Sequence, residues 1–171
     1  NVTLTGYCIA ETEMTQTLYG KLSDSSESGN IPKQVYYASV STILESLNTN
    51  TQAHFNIASE AQWEYAAKGG AKTQGYKYAG SDNLDEVAWY SGNAGGKLHE
   101  VKSLLPNELG LYDMSGNSME FVLDYYNPYT EEDVTDPVSP YIDSNSHVTR
   151  GGEYSFAIEN LTTYARYANR I

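Results

Sequence analysis

The stretch that most restricts what this chain can become is PNELGLYDMSGNSMEF, residues 106–121. Gly110 and Gly116 punctuate it, and Leu109, Leu111, Met114 and Met119 set apolar side chains among its polar ones. Asp113, Asn117 and Glu120, with Asp124 just beyond, bring polar groups back into the same window. Loops rich in Gly, Asn and Asp are ordinarily exposed connectors. This one carries apolar anchors, so it must fold onto a core, and its carbonyls and carboxylates then need partners. A calcium ion, which takes carboxylate and carbonyl oxygens together, is one such partner. Turn capping through backbone N–H groups is the alternative.

The rest of the chain reads as scaffold for that segment. Its 171 residues suffice for a single domain over 1–171 with a sizeable core. Alternation of Val2, Leu4, Tyr7 and Ile9 predicts an opening strand. From Glu13 the spacing of Met14, Leu18 and Leu22 turns helical. Pro32 is expected to open a helix over KQVYYASVSTILESL, with Val35, Ala38, Val40, Ile43, Leu44 and Leu47 as its apolar stripe. The next helix is the clearest. Ser59 and Gln62 form a capping box, Trp63, Ala66 and Ala67 face inward, and Gly69–Gly70 is the stop. Between 71 and 107, glycines interrupt Tyr76, Tyr78, Trp89 and Tyr90, and regular structure thins to ordered loop. Strands are expected again at 121–126, around 148–150 and in YARYANRI at the end, with NPYTEEDVTDPVSPYIDSNS a second long loop.

Charge and composition exclude several functions. Lys and Arg number 10 against 22 Asp and Glu, a net charge of −12, which argues against a nucleic-acid backbone as partner and suits cations. No stretch is apolar enough for a membrane-spanning segment. Cys8 stands alone, so no internal disulfide forms, and it reads as a small buried hydrophobe on the opening strand. His54, His99 and His147 have no metal-ligand spacing. The 16 tyrosines suit either half-buried walls or a binding surface.

SEAQWEYAAKGG (59–70), PNELGLYDMSGNSMEFVLDYY (106–126) and RGGEY (150–154) resemble, in that order, the sulfatase-modifying, formylglycine-generating-enzyme superfamily. TEMTQTLYG (12–20) looks like that family's early "EVT" segment. The resemblance implies an α+β, C-type lectin-like fold: a small twisted antiparallel sheet, two main helices and extensive ordered loops. It also implies a structural calcium ion held by Asp113 and Glu120 carboxylates and by the Gly116 and Ser118 carbonyls. Catalytic members carry two cysteines after the RGGEY-like block, which bind copper and oxidise a substrate Cys. Here Phe156 and Leu161 stand near those positions, so no copper is expected. The family's GxFxMG opening strand and GFR closing strand are not visible, so the chain is expected to lack both.

The expected function is therefore that of a non-catalytic binding module. Non-catalytic branches of the family include retroelement-diversified variable proteins, varied after an RGG-like block, and surface or secreted modules such as adhesins. The corresponding stretch here, 153–169, offers Glu153, Tyr154, Phe156, Asn160, Tyr164, Tyr167 and Asn169 to a protein or glycan ligand, in an extracellular or cell-surface setting. The rival expectation is an oxidoreductase with a non-standard site around His99 and tyrosines.

Overall fold

The computed structural model describes residues 1–142 and 146–170. The expected 127–146 loop therefore lies partly outside the described residues, as does the last residue of the closing run. Three strands form the main sheet: β2 (Glu120–Tyr125), β4 (Ser146–Arg150) and β5 (Tyr167–Arg170), antiparallel in the order β2-β4-β5. A separate parallel pair joins β1 (Val2–Thr3) to β3 (Val134–Thr135). The helices are α1 (Gln16–Leu22), α2 (Val40–Thr51), α3 (Glu60–Ala67) and the short α4 (Leu84–Val87). This is the α+β, loop-rich architecture expected of the chain.

The helix α3 forms where its caps place it. The Ser59 hydroxyl accepts from the Gln62 N–H while the Gln62 side chain accepts from the Ser59 N–H. Its inner face packs Trp63, Ala66 and Ala67 against Val122, Val148, Leu111, Met114 and Ala79. A second apolar cluster gathers Tyr78, Leu84, Val87, Ala88 and Leu161.

Three expectations are corrected. The opening strand shrinks to two residues, because the chain there pairs with β3 rather than extending the main sheet. The helix expected from Pro32 begins only at Val40. Residues 32–33 are instead drawn into pairing with 14–15, through the Thr15–Pro32 bridge and the Lys33 N–H to Met14 carbonyl bond. That helix runs on through Asn48–Thr51 and ends at Gln52, at φ 56. Cys8, expected to be buried, is free and exposed, since its segment is not part of a covered strand.

Candidate functional site

Residues 113–118 are all buried, although four of the six are polar. The backbone reverses sharply here: Asp113, Gly116 and Asn117 have φ of 59, 83 and 57. Only glycine fits at 116, where an added Cβ would lie 2.2 Å from the Trp89 carbonyl oxygen. The buried polar groups are answered from all over the chain. The Gly116 N–H donates to Gly151, the Asn117 N–H to Trp89, and the Tyr154 N–H to the Asn117 carbonyl. The Asn117 side chain clasps His99 from both sides, accepting from its N–H and donating to its carbonyl. The Ser115 hydroxyl donates to Leu161 and accepts from the Ala79 N–H. This loop is a polar hub.

Its carboxylates accept hydrogen bonds from other parts of the chain. Asp113 Oδ2 accepts from the Lys102 N–H at 2.9 Å, and Glu120 Oε2 accepts from the Trp63 indole at 3.1 Å. The Asp113 bond is of the kind expected of turn capping through a backbone N–H. A third acid, Glu13, enters from the start of the chain: its Oε1 accepts from the Ser118 N–H, while Oε2 is buried without a partner. Burial raises the Glu13 carboxyl well above the ordinary range, and Asp113 and Glu120 add to it. Burial likewise raises Asp113, and pushes Glu120 up to about 7, partly opposed by its bond from Trp63. Burial thus disfavours the charged form of all three acids. Their spacing sets a limit. Among the described residues no three His, Cys, Asp or Glu side chains converge tightly enough to hold a metal by themselves. Any ion here would need carbonyls such as those of Gly116 and Ser118.

Sequence reasoning missed Glu13 as a member of this group. TEMTQ belongs to the EVT-like block but carries no local signal of this contact.

The C-terminal stretch divides into wall and surface. Phe156 packs on the second apolar cluster and meets Tyr167 edge-on at 5.1 Å, and the Tyr167 hydroxyl donates to the Asn160 carbonyl at 2.6 Å. Leu161 is fully buried, and Gly152, at φ 75, leaves room for it: a Cβ there would come 2.4 Å from its Cδ2. Asn169 lies on β5, paired with His147. Glu153 and Tyr154 are half-buried, Glu153 accepting from the Ser155 hydroxyl. Tyr164 is the exposed aromatic of the set, at 61%. Arg150 presents it. Its guanidinium, completely buried, donates to the carbonyls of Thr163, Tyr164 and Ala165 and pairs with Glu64.

A second arginine extends this network. Arg166 donates through Nε and Nη2 to both Glu60 oxygens, at 2.8 and 2.7 Å, and lies between the rings of Tyr126 and Tyr129. His99 and His147 are both packed against aromatic rings. His99 stacks on Trp89 at 3.8 Å, with Nε2 2.8 Å from the Ala94 carbonyl oxygen. His147 is sandwiched between Tyr37 at 3.7 Å and Tyr125 at 4.1 Å. Neither His147 ring nitrogen has a hydrogen-bond partner, though the backbone of 122–124 lies close.

The fold and hub define a class: a loop-dominated α+β domain organised around one buried polar turn. The model of the sulfatase-modifying factor enzyme 1-like domain matches residues 1–170, and the chain belongs to that family. The chaperone protein LppX of Paenibacillus barcinonensis is 41% identical over 96 residues, which is 46% of this chain and 34% of that protein. The formylglycine-generating enzyme of Streptomyces coelicolor is 33% identical over 114 residues, 57% of this chain and 35% of that protein. The matches thus span about a third of the length of these curated relatives. Among solved structures, Treponema denticola variable protein 1 superposes with a TM-score of 0.86 at 24% identity, covering 99% of this chain and 81% of that one. PvdO of Pseudomonas aeruginosa gives 0.71 at 22% identity, covering 85% and 58%. Likeness at that level of identity concerns the fold alone.

Proposed function

We propose that this chain is a non-catalytic binding module, recognising a protein or glycan ligand through the C-terminal surface around Tyr164. The observation that carries this reading is the presence of Phe156 and Leu161. Where the family resemblance puts a redox-active cysteine pair, this chain has a phenyl ring packed on an apolar cluster and, within that cluster, the buried Leu161. Neither side chain can form a thiolate, ligate a soft metal or exchange a disulfide. Close by, Arg150 fixes the backbone of 163–165 from inside while the Tyr164 ring faces solvent. An exposed tyrosine on a fixed backbone suits a recognition surface, because little backbone ordering is left to be lost on binding. The solved fold neighbour from Treponema denticola is itself titled a variable protein, in keeping with this reading.

A calcium ion belongs to the proposal as a structural element. Asp113 and Glu120, with the Gly116 and Ser118 carbonyls and the Glu13 carboxylate, would hold it. When bound it would neutralise the buried acids and fix the hub.

The test is a protein and glycan array probed with the wild type and with Tyr164→Ala, alongside an oxidase assay on a cysteine-containing peptide after copper loading. A ligand captured by the wild type and lost by the variant is expected, with no peptide oxidation. Catalytic turnover of the peptide would overturn the proposal.

A further inference from the structure

We infer that the loop after β2 carries a separate recognition surface, built on Tyr129, that takes an arginine- or lysine-bearing segment of a partner protein. This rests on the reading of the chain as a binding module but not on the surface around Tyr164.

The first observation is the combination of exposure and rigidity. Tyr129 is 66% exposed, yet its hydroxyl donates to Glu60 Oε1 at 3.1 Å. One face of its ring is covered by the Arg166 guanidinium, 4.3 Å from the ring centre. That guanidinium is fixed in turn by Glu60, by the Asn127 carbonyl at 2.8 Å and by the Tyr126 ring at 4.5 Å. An exposed tyrosine with no such supports would lose rotamer freedom on binding; this one has lost it on folding. Arg166 and Glu60 neutralise each other, so the second face of the Tyr129 ring keeps its attraction for a cation.

The second observation is charge. The sequence has no Lys or Arg between Lys102 and Arg150. Within the loop, Asp136 accepts from the Thr5 N–H. Glu131 and Glu132, two and three residues after Tyr129, are exposed and have no ion-pair partner among the described residues. A π face and two free carboxylates select the same ligand group, a cationic side chain, and repel phosphate or sulfate. Apolar Val138, Tyr141 and Ile142 on the same loop are also exposed, at 47–59%, and offer contact area to the rest of such a segment. A neutral glycan could stack on Tyr129 but would gain nothing from Glu131 and Glu132.

The test measures binding of a labelled Arg-Gly repeat peptide to the full chain by fluorescence anisotropy, at about 50 and 300 mM salt. A matched Glu-Gly peptide and a neutral oligosaccharide serve as the other arms. The Arg-Gly peptide is expected to bind and to weaken at least tenfold at the higher salt. Tyr129→Ala should lose at least fivefold, and the exposed pair Glu131→Lys/Glu132→Lys should abolish binding without touching the fold. Tyr164→Ala should bind as the wild type does. Equal binding of the Arg-Gly peptide by Tyr129→Ala would overturn the inference, as would preference for the oligosaccharide or failure to bind the peptide at all. The Tyr164 surface is read separately, by array capture, so either surface can fail while the other stands.

Discussion

At the scale of single residues, Gly116 is the position with least freedom. Its φ of 83 is strained for any L side chain, and a methyl group would collide with the Trp89 carbonyl. Gly116→Ala is expected to cost about 3 kcal/mol or more, measured as a lowered midpoint in urea unfolding. Gly95, at φ 62 with nothing near its missing Cβ, is the control: Ala there should cost about 1 kcal/mol. The sequence made the 106–121 window legible because Gly, Asn and Asp among apolar anchors have few solutions. Glu13 was not legible as its partner. Nothing local in TEMTQ reports a contact made 105 residues away, and the distinction between wall and surface within 153–169 was hidden for a similar reason. Phe156 and Tyr164 are both aromatic, and only tertiary packing buries one and exposes the other.

Among the elements, α3 was readable to its caps because its determinants lie within the helix itself. The start of α2 was not, since pairing of 14–15 with 32–33 overrides the helical cue that Pro32 gives. None of the residues of α2 is fully buried, so what attaches it to the sheet matters. Tyr37, on the turn leading into α2, stacks directly on His147 of β4. Burial lowers the His147 proton affinity, with Asp124 opposing weakly, and Tyr37, Tyr125 and Asn169 supply no counter-charge. The folded-state pKa therefore lies below the unfolded value of 6.5. Stability contributed by neutral His147 is complete above that value and is lost as pH falls through it, because the unfolded chain takes the proton first. Urea unfolding at pH 8 and pH 5 should show a larger drop for the wild type than for His147→Phe, which keeps the stack and cannot titrate. Equal drops would remove the effect from His147.

For the whole molecule, the calcium proposal makes the sharpest demand. If an ion relieves Glu13, Asp113 and Glu120, millimolar calcium should raise Tm and EGTA should reverse the gain, by roughly 2–8 °C for about 1–2 kcal/mol of binding free energy. Asp113→Asn/Glu120→Gln should be indifferent to both reagents. A wild type equally indifferent would overturn the calcium proposal. The fold class itself was legible, from the family blocks and from the length of the glycine-interrupted middle. The separation into a three-stranded antiparallel sheet and a parallel β1–β3 pair was not, because a two-residue strand leaves no periodicity to read.

The hub at 113–118 is tied to residues 13, 79, 89, 99, 102, 151, 154 and 161. None of those ties reaches the outward rings of Tyr129 or Tyr164, which are mounted on Arg166 and Arg150 instead. The molecule therefore divides mutational risk unevenly. Drift in the hub meets many simultaneous constraints, whereas exchange of Tyr129 touches only the Glu60–Arg166 pair and the outward Tyr164 ring lies outside the hub. On the proposed binding function, a domain wired in this way could change what it recognises while keeping its shape.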